Sequence, residues 1–285
     1  MKNNQKSAYL TTKDFLVSGE SFQLVFDAKF DMLVTTPQPA AENLSDYYES
    51  DAYISHTDSE NGLLPFLYQK VKQRALKKKI GLITKLNQGS GSLLDIGAGT
   101  GEFLKKASEK GWEIYGAEPN KKARTISEEK GITLKESFTE FAGQKFDVIT
   151  LWHVLEHIPK LHEAITQIEQ LLKPGGILLI AVPNYKSYDA KHYKEFWAAY
   201  DVPRHLWHFS KVSMAKLFSE NLELIKIKPM LFDSFYVSLL SEKYKTGAKF
   251  SLKAFGIGLW SNIRALKSKE YSSHIYCFKK ELKSK

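Results

Sequence analysis

Three residues of the segment WHVLEHIP carry side chains that bind metal ions in other proteins. His153, Glu156 and His157 stand in the spacing H-x-x-E-H, in which two histidines on one helical face hold zinc in a class of peptidases. Pro159 comes two residues after His157 and leaves little room for a helix through the motif. Because the segment also follows the apolar run FDVITLW, we interpret it as a loop at the end of a strand and not as a peptidase site.

A second group of residues lies in LLDIGAGTGEF, at positions 93–103. Asp95 ends an apolar run there. Glycines follow at every second position, at Gly97, Gly99 and Gly101. Glycine tolerates positive φ and has no Cβ, so the backbone can turn sharply and approach a ligand closely. The pattern predicts a ligand-binding turn between a strand and a helix, in the crevice at the carboxyl ends of the strands.

The residues after the glycines disfavour a dinucleotide as the ligand of this turn. The dinucleotide pattern G-x-G-x-x-G needs glycine where Glu102 or Leu104 stands. An acidic side chain at the opening of the helix also disfavours a pyrophosphate group. We therefore expect a ligand that carries no phosphate.

Glu118 ends the next apolar run, WEIYGAE, and precedes Pro119. A carboxylate at this position can accept hydrogen bonds from both ribose hydroxyls of a nucleoside. The ribose diol is common to NAD and other nucleosides, so Glu118 alone does not distinguish between them. A surface glutamate without a ligand is the alternative interpretation.

Apolar runs alternate with helical segments through the middle of the chain. The expected strands are SLLDIG, WEIYGAE, ITLKES, FDVITLWH and ILLIAVP, and the expected helices are EFLKKASEKG, KKARTISEEKG and LHEAITQIEQLL. This alternation predicts right-handed βαβ units and a parallel sheet covered on both faces. Two further strand-like runs, ELIKIKPMLFDSFYVSLL and SSHIYCFKK, flank a helical insert at about 246–268. We expect them to close the sheet as an antiparallel edge.

These motifs together resemble the class I S-adenosylmethionine-dependent methyltransferases, most closely over residues 93–184. The resemblance rests on D-x-G-x-G-x-G after a strand, the acid ending the next strand, FDVITLWHVLEHIP and LLKPGGILLIAVPN. It implies an α/β, Rossmann-like fold with a seven-stranded, mainly parallel sheet whose last strand is antiparallel. It also implies the cofactor S-adenosylmethionine, a sulfonium compound without phosphate, which agrees with Glu102.

The resemblance also implies which residues contact the cofactor. In the family, the positions of Asp95 and the glycine turn hold the methionine end, that of Glu118 takes the ribose, and residues after the third strand flank the adenine. The position of His153 lies beside the cofactor. The implied cofactor-binding residues are Asp95, Gly97, Ala98, Gly99, Gly101, Glu118, Pro119, Ser137, Phe138 and His153.

The segment DVPRHLWHFS, residues 201–210, resembles a P-R-H-x-x-x-F segment of bacterial methyltransferases grouped near sugar and quinone enzymes. Methyl transfer needs a base only if the acceptor must lose a proton, and histidine, with a pKa of about 6.5, suits that role. The candidate catalytic residues are His205, His208 and His157. Arg204 is a candidate for binding the acceptor, and a structural loop packed by Trp207 and Phe209 is the alternative.

A metal ion is not expected at Glu156 and His157. Ubiquinone-type O-methyltransferases carry E-x-x-E-H at the corresponding place, a pattern discussed as a divalent-metal site, but this chain departs from it at His153. Glu156 as a cap of the next helix and His157 as a packing residue are the alternatives.

The start of the chain resembles a small zinc-binding element of these relatives, in which C-x-x-C precedes an N-P-x-P turn. The turn is TTPQP here, and Asp27 and Phe30 occupy the cysteine positions. Thiolates are the ligands that such a site needs, so we expect a degenerate, metal-free β-cap. Downstream, Tyr47, Tyr53 and His56 are candidates for a lid over the cofactor, with ordinary helix packing as the alternative.

Four parts of the chain are expected. They are a β-rich N-terminal cap (1–41), a helical lid (42–89), the cofactor-binding core (90–185), and a substrate-side segment with the closing strands and the helical insert (186–285). The longest apolar run, Ile177–Val182, is far shorter than a membrane span. The single cysteine, Cys277, excludes an internal disulfide, and no secretory signal is evident. A cytoplasmic location is therefore expected.

The net charge of +9 is unevenly distributed. Residues 68–89 carry seven bases and no acid, and residues 241–285 carry eleven bases and three acids. The function expected is S-adenosylmethionine-dependent methylation of a small-molecule acceptor, at oxygen or carbon. An RNA methyltransferase that uses the basic segments, and a cofactor-binding scaffold without catalysis, are the alternatives.

Overall fold

The computed structural model describes residues 8–40, 43, 44, 47, 63–218, 220–248 and 251–282. Two β-sheets organise them. The larger sheet contains the strands β4 (Ser92–Ile96), β5 (Glu113–Ala117), β6 (Phe146–Trp152), β7 (Leu172–Pro183), β9 (Leu222–Pro229) and β10 (Ser273–Lys280). The smaller sheet contains β1 (Ala8–Lys13), β2 (Ser21–Asp27), β3 (Met32–Thr36) and β8 (Trp207–His208).

The larger sheet has the strand order β5-β4-β6-β7-β10-β9. β4 pairs in parallel with β5 and β6, and β6 pairs in parallel with β7. β10 is antiparallel to both of its neighbours, as the sequence predicts for the closing strand. Because β4 to β7 run parallel, their carboxyl ends meet at one edge, where ligands of open α/β sheets bind.

The structure shows six strands in this sheet within the described part of the chain, where the resemblance implied seven. The segment ITLKES, expected as a strand, contributes only one isolated parallel bridge, between Lys135 and Ala117. Ser137 then caps a short 3-10 helix at Phe138–Phe141 through its side chain. That helix begins too soon after the bridge for a strand to extend.

Helices cover both faces of the sheet. The α-helices among the described residues are α1 (Leu63–Asn87), α2 (Glu102–Ser108), α3 (Lys121–Glu129), α4 (Leu161–Leu171), α5 (Tyr188–Tyr193), α6 (Lys211–Leu217), α7 (Asp233–Thr246) and α8 (Leu252–Ser268). Successive strand residues face opposite sides, so Leu94 and Ile149 belong to one apolar core with α4, while Leu93 and Val148 belong to another with α1 and α2. No helix among the described residues combines the length and the hydrophobicity that crossing a membrane requires.

One expected strand is wrong in its second half. In ELIKIKPMLFDSFYVSLL, β9 ends at Pro229 and the helix α7 begins at Asp233. The buried residues of α7 are Ser234, Val237, Ser238, Ser241 and Glu242. Their spacing of three and four residues is that of a helix and not that of a strand. The helical insert expected at about 246–268 therefore begins earlier, at Asp233, and consists of the two helices α7 and α8.

The smaller sheet has the order β1-β2-β3-β8, so the N-terminal cap is completed by two residues of the substrate-side segment. Arg204 joins these parts, because its guanidinium donates to Asp14 (2.9 Å), to Asp201 (2.6 Å) and to the carbonyl of Tyr47 (3.0 Å). Its side chain is fully buried. These contacts indicate a structural role for Arg204, which the sequence suggested for acceptor binding.

Asp27 and Phe30, at the positions of the missing cysteines, have other roles in the β2–β3 turn. The Asp27 carboxylate accepts a hydrogen bond from the N–H of Lys29 (2.9 Å). The ring of Phe30 packs against the imidazole of His162, with 4.9 Å between ring centroids. The turn is thus stabilised by an ordinary backbone hydrogen bond and by ring packing.

Candidate active site

The turn between β4 and α2 is built on left-handed backbone conformations. The φ angles are 73° at Gly97, 54° at Gly99 and 73° at Gly101. The N–H groups of Gly97 and Ala98 both donate to the carbonyl of Ala117, at 2.8 and 3.0 Å. The turn is thereby fixed against the end of the neighbouring strand β5.

The three glycines have different surroundings. A Cβ at Gly97 would lie 2.3 Å from Cγ2 of Val154, and one at Gly101 would lie 3.1 Å from Cβ of Ser127. No described atom lies within 4 Å of a Cβ built at Gly99. Gly97 and Gly101 therefore serve close packing, whereas Gly99 presents its backbone to open space where a ligand can approach it.

Glu118 stands directly beside Gly99. Its Oε2 accepts a hydrogen bond from the N–H of Gly99, and its Oε1 accepts one from the N–H of Asn120, both at 2.9 Å. A carboxylate oxygen can accept two hydrogen bonds. The two backbone donors therefore orient the carboxylate and leave each oxygen able to accept from a hydroxyl group, which fits a ribose diol.

Ser137 and Phe138 lie near the same edge of the sheet. The N–H of Glu118 donates to the carbonyl of Lys135 at 2.9 Å, which holds this segment against the end of β5. Ser137 caps the 3-10 helix that begins at Phe138. Hydrogen bonds thus hold the glycine turn, Glu118 and the segment that leads to Ser137 and Phe138 together at the carboxyl end of β5.

Asp95 is a buried acid at the base of the crevice, and its carboxylate accepts a hydrogen bond from the hydroxyl of Thr150. Burial raises the pKa of Asp95 to about 7, against the opposing effects of Thr150 and of the Lys79 ammonium. Lys79, on α1, lies 4.0 Å from the centroid of the Trp152 ring. A second cation beside Asp95, such as the ammonium of an amino acid, would favour the ionised carboxylate.

His153 follows β6 with a φ of 59°, a left-handed conformation that histidine adopts more readily than most residues. Its Nδ1 lies 3.4 Å from Oε1 of Glu156, and its Nε2 lies 3.2 Å from Oδ2 of Asp233. Burial lowers the pKa of His153, but Asp233 and Glu156 outweigh that effect and raise it to about 9. His153 is therefore an imidazolium at neutral pH.

The helix that a zinc peptidase motif needs is absent from this segment. Residues Leu155–His157 form one turn of 3-10 helix, and the first histidine of the motif precedes it in a left-handed conformation. The structure confirms the interpretation of WHVLEHIP as a loop at the end of a strand.

Glu156, His157 and His205 form a cluster whose potential ligand atoms lie within 4.8 Å of one another. Glu156 is fully buried, and apart from the 3.4 Å pairing of its Oε1 with Nδ1 of His153, its carboxylate oxygens have no hydrogen-bond partner among the described residues. The rings of His157 and His205 meet edge to face, with 4.5 Å between centroids. We name these three residues the Glu-His-His cluster.

The hydrogen bonds of the two rings set their tautomers. Nδ1 of His157 lies 3.1 Å from the carbonyl of Arg204, and Nδ1 of His205 lies 2.9 Å from the carbonyl of Ala199. Because a carbonyl only accepts, each Nδ1 carries the proton and each Nε2 is the basic nitrogen of a neutral ring. Two such nitrogens and a carboxylate can take up a proton, and they are also typical ligands of divalent metals.

The pKa values of Glu156 and His157 determine the charges in the cluster at neutral pH. Burial raises the pKa of Glu156, but the nearby histidines, with His153 first, outweigh it and lower the pKa below its ordinary value. Burial, followed by the neighbouring imidazole of His205, lowers the pKa of His157 to about 4. At neutral pH the cluster therefore contains a carboxylate beside a neutral His157.

His208 lies outside this cluster. Its Nε2 is 3.0 Å from the hydroxyl of Thr35, and its ring packs edge to face against Tyr200 at 5.4 Å. Burial holds the pKa of His208 well below its ordinary value. The structure thus brings His157 and His205 together and places His208 in the smaller sheet, with 6.4 Å between the ring centroids of His205 and His208.

Of the residues suggested for a lid, Tyr47 lies against the smaller sheet, where its hydroxyl donates to Glu20 at 2.7 Å. Tyr53 and His56 are outside the described residues. Two residues of the crevice were not anticipated. Asp233 lay in a run expected as a strand, and Lys79 lay in a lysine-rich segment without a distinguishing pattern.

Relatives of known name match part of the chain. The ubiquinone biosynthesis O-methyltransferase of Erwinia tasmaniensis is 32% identical over 106 residues, which is 33% of this chain and 43% of that protein. The enzyme of the same name from Actinobacillus pleuropneumoniae serotype 7 is 34% identical over 106 residues, which is 32% of this chain and 45% of that protein. The matches span less than half the length of these relatives.

Solved structures resemble the fold more extensively. The cyclopropane synthase MmaA2 from Mycobacterium tuberculosis superposes with a TM-score of 0.56 at 14% identity, over 86% of this chain and all of that one. Phosphoethanolamine N-methyltransferase 2 of Haemonchus contortus, solved with S-adenosyl-L-methionine, gives 0.52 at 17% identity, over 87% of this chain and 62% of that one. At such identities the likeness shows the fold alone.

A family profile described as "Methyltransferase domain" matches residues 68–225, more than half of the chain. The match begins after the N-terminal cap, so the likeness of the cap to a zinc-binding element has no support. The core of the match is the sheet whose carboxyl edge carries the glycine turn and Glu118. The chain therefore belongs to the methyltransferase domain family, and its fold is that of the S-adenosylmethionine-dependent methyltransferases.

Proposed function

We propose that this chain transfers a methyl group from S-adenosylmethionine to a small-molecule acceptor, at an oxygen or carbon atom. The observation that carries the proposal is the open backbone of Gly99 beside the oriented Glu118 carboxylate. These groups fit a phosphate-free nucleoside, because the turn offers a close approach and the carboxylate offers acceptors for a diol. When bound, S-adenosylmethionine supplies an electrophilic methyl group on its sulfonium sulfur.

The residues that would hold the cofactor divide by the part that each contacts. Asp95 would bind the ammonium of the methionine end, and Glu118 would accept from the ribose hydroxyls. Ser137 and Phe138 would flank the adenine. The other residues proposed to contact the cofactor are Gly97, Ala98, Gly99, Gly101, Pro119 and His153.

The affinity for S-adenosylhomocysteine is expected to fall as the pH decreases from 8 to 6. Burial raises the pKa of Asp95 to about 7, so acid protonates the group that should bind the ammonium. Below pH 7 the affinity should decrease by up to about tenfold per pH unit. Calorimetry at pH 6, 7 and 8 measures this, with Asp95→Asn as the comparison. A wild-type affinity that stays constant over the range would contradict the assignment of Asp95.

We propose His205 as the base for an acceptor that must lose a proton. Its Nδ1–H is held by the carbonyl of Ala199, which leaves Nε2 to receive the proton of an acceptor hydroxyl. The ionised Glu156 then stabilises the imidazolium that forms. The named relatives are O-methyltransferases, which supports a hydroxyl acceptor. His157 shares the cluster, and His208 remains a candidate from the sequence.

A screen with methyl-labelled S-adenosylmethionine tests the proposed function. The purified chain is incubated with a metabolite extract and separately with total RNA, and heat-inactivated chain serves as the control. We expect label in a small molecule. Label in the RNA alone would favour the alternative acceptor, and binding of S-adenosylhomocysteine without any transfer would show a non-catalytic scaffold.

A further inference from the structure

Helix α8 has its large apolar side chains on the outside. Its buried residues are the small ones, Ala254, Gly258, Ser261 and Ala265. The exposed ones are Leu252, Phe255, Leu259, Trp260, Ile263 and Leu266, which are between 39 and 77% exposed. Spacings of three and four place most of the exposed set on one side of the helix. This arrangement is the reverse of an ordinary surface helix, which turns its large apolar residues toward the core.

The small residues dock α8 closely against α7. A Cβ at Gly258 would lie 2.9 Å from the Cα of Phe235 and 2.9 Å from the carbonyl oxygen of Ser234. At this distance only glycine fits without displacement of the α7 backbone. A rotation of α8 that buried its leucines would replace this contact with bulkier side chains, so the outward direction of the large residues is built into the packing.

The exposed surface continues onto the start of α7. The amide of Asn262 donates to the carbonyl of Leu231 at 2.9 Å and to the hydroxyl of Ser234 at 2.9 Å. These bonds place Leu231, Phe232 and Tyr236, which are also exposed, beside the C-terminal half of α8. We name these three residues and the six of α8 the apolar face. Contiguous exposed patches of this kind commonly mark interaction sites.

The charges around the apolar face are predominantly basic. Helix α8 contains Lys253, Arg264 and Lys267 and no acidic residue. The acidic residues of α7 are engaged, because Glu242 is buried and pairs with Lys253 at 3.2 Å, which also offsets the charge of that lysine, and Asp233 pairs with His153. The last turn of α7 adds two lysines, Lys243 and Lys245. A partner of this surface should therefore be both apolar and anionic.

We propose that the apolar face binds the surface of an anionic phospholipid membrane. Helices with a Leu, Phe and Trp face and flanking basic residues lie in the plane of such an interface, and each lysine or arginine near it adds electrostatic attraction. The length and charge of α8 suit a helix that lies on a membrane and does not cross it. A second copy fits less well, because a symmetric contact would bring the same basic groups together.

The apolar face adjoins the candidate active site. Phe232 belongs to the face, and the next residue, Asp233, pairs with His153 in the crevice. A lipid-soluble acceptor would thus reach the cofactor over a short path from the membrane. This last step rests on the proposed function, whereas membrane binding itself does not.

Sedimentation with vesicles tests the proposal. Phosphatidylcholine vesicles with and without phosphatidylglycerol are compared, and we expect the full chain to bind the anionic ones and to be released by salt. The double variant Leu259→Ser/Leu266→Ser should bind the anionic vesicles at least about tenfold more weakly than the wild type. Val212→Ser is the matched control, because Val212 is an exposed apolar residue of α6 outside the face, and its binding should equal that of the wild type.

The fluorescence of Trp260 gives a second measurement, because Trp260 is half-exposed at the centre of the face. Emission should shift to the blue with anionic vesicles, and Trp260→Phe should remove the shift. Three results would overturn the proposal: no wild-type binding to anionic vesicles, equal binding by the double variant, or a wild-type dimer that the double variant dissociates. The affinity of each variant for S-adenosylhomocysteine is measured as well, and we expect it to equal that of the wild type. Vesicle binding and cofactor binding are thus tested separately, so that a failure of one proposal is distinguished from a failure of the other.

Discussion

Replacement of Gly99 by valine should abolish binding of S-adenosylhomocysteine and leave the chain folded. A Cβ at this position would meet no atom of the described residues within 4 Å, so we expect little disruption of packing. It occupies the space in front of the turn, where the ligand must approach the backbone. We expect a loss of affinity of about a hundredfold or more, measured by calorimetry.

The control for this variant is Gly143→Val. Gly143 has a φ of 85° and, like Gly99, has no described atom within 4 Å of its Cβ position. A left-handed conformation costs a residue with Cβ about 1–2 kcal/mol, and valine should lose stability of that order at both positions. Gly143 precedes β6, at the amino edge of the sheet and opposite the crevice. Equal affinity of the two variants would contradict the assignment of the turn, and thermal unfolding verifies that both are folded.

Replacement of His205 by glutamine should lower kcat by about 10²- to 10⁴-fold, the usual contribution of a general base. Glutamine keeps a donor for the carbonyl of Ala199 and lacks a basic nitrogen. The affinity for S-adenosylhomocysteine should not change, because the assigned cofactor contacts lie in other residues. Turnover is measured with the acceptor that the labelling screen identifies.

The control for this second variant is His208→Gln. His208 is held by Thr35 in the smaller sheet, so its loss should reduce stability while kcat remains close to the wild-type value. A large loss of kcat in His208→Gln with little loss in His205→Gln would reverse the assignment of the base. Full activity in both variants would show that the acceptor reacts without loss of a proton to either histidine.

The features that could be predicted from the sequence are those set by local chemistry. The turn from β4 to α2 depends on the left-handed tolerance of glycine, and the spacing of Gly97, Gly99 and Gly101 predicts it directly. The alternation of apolar runs and helices predicts the parallel core. The late strand-like runs and the resemblance both predict an antiparallel closing strand, which the pairing of β10 confirms.

The features that could not be predicted depend on contacts between distant residues. The Glu-His-His cluster joins residues from 156 to 205, which are distant along the chain and meet only in the folded structure. In α7, Phe and Val suggested a strand, but small buried serines and contact with α8 favour a helix. Burial and the partners of Asp95 and His153, which set their pKa values, are likewise properties of the folded chain.

A crystal structure of the full chain with S-adenosylhomocysteine tests the proposed cofactor site. We expect the ribose hydroxyls to donate to the carboxylate of Glu118, with the nucleoside against the backbone of Gly99 and the adenine beside Phe138. Density for the nucleoside at another place, or an unchanged crevice at saturating ligand, would contradict it.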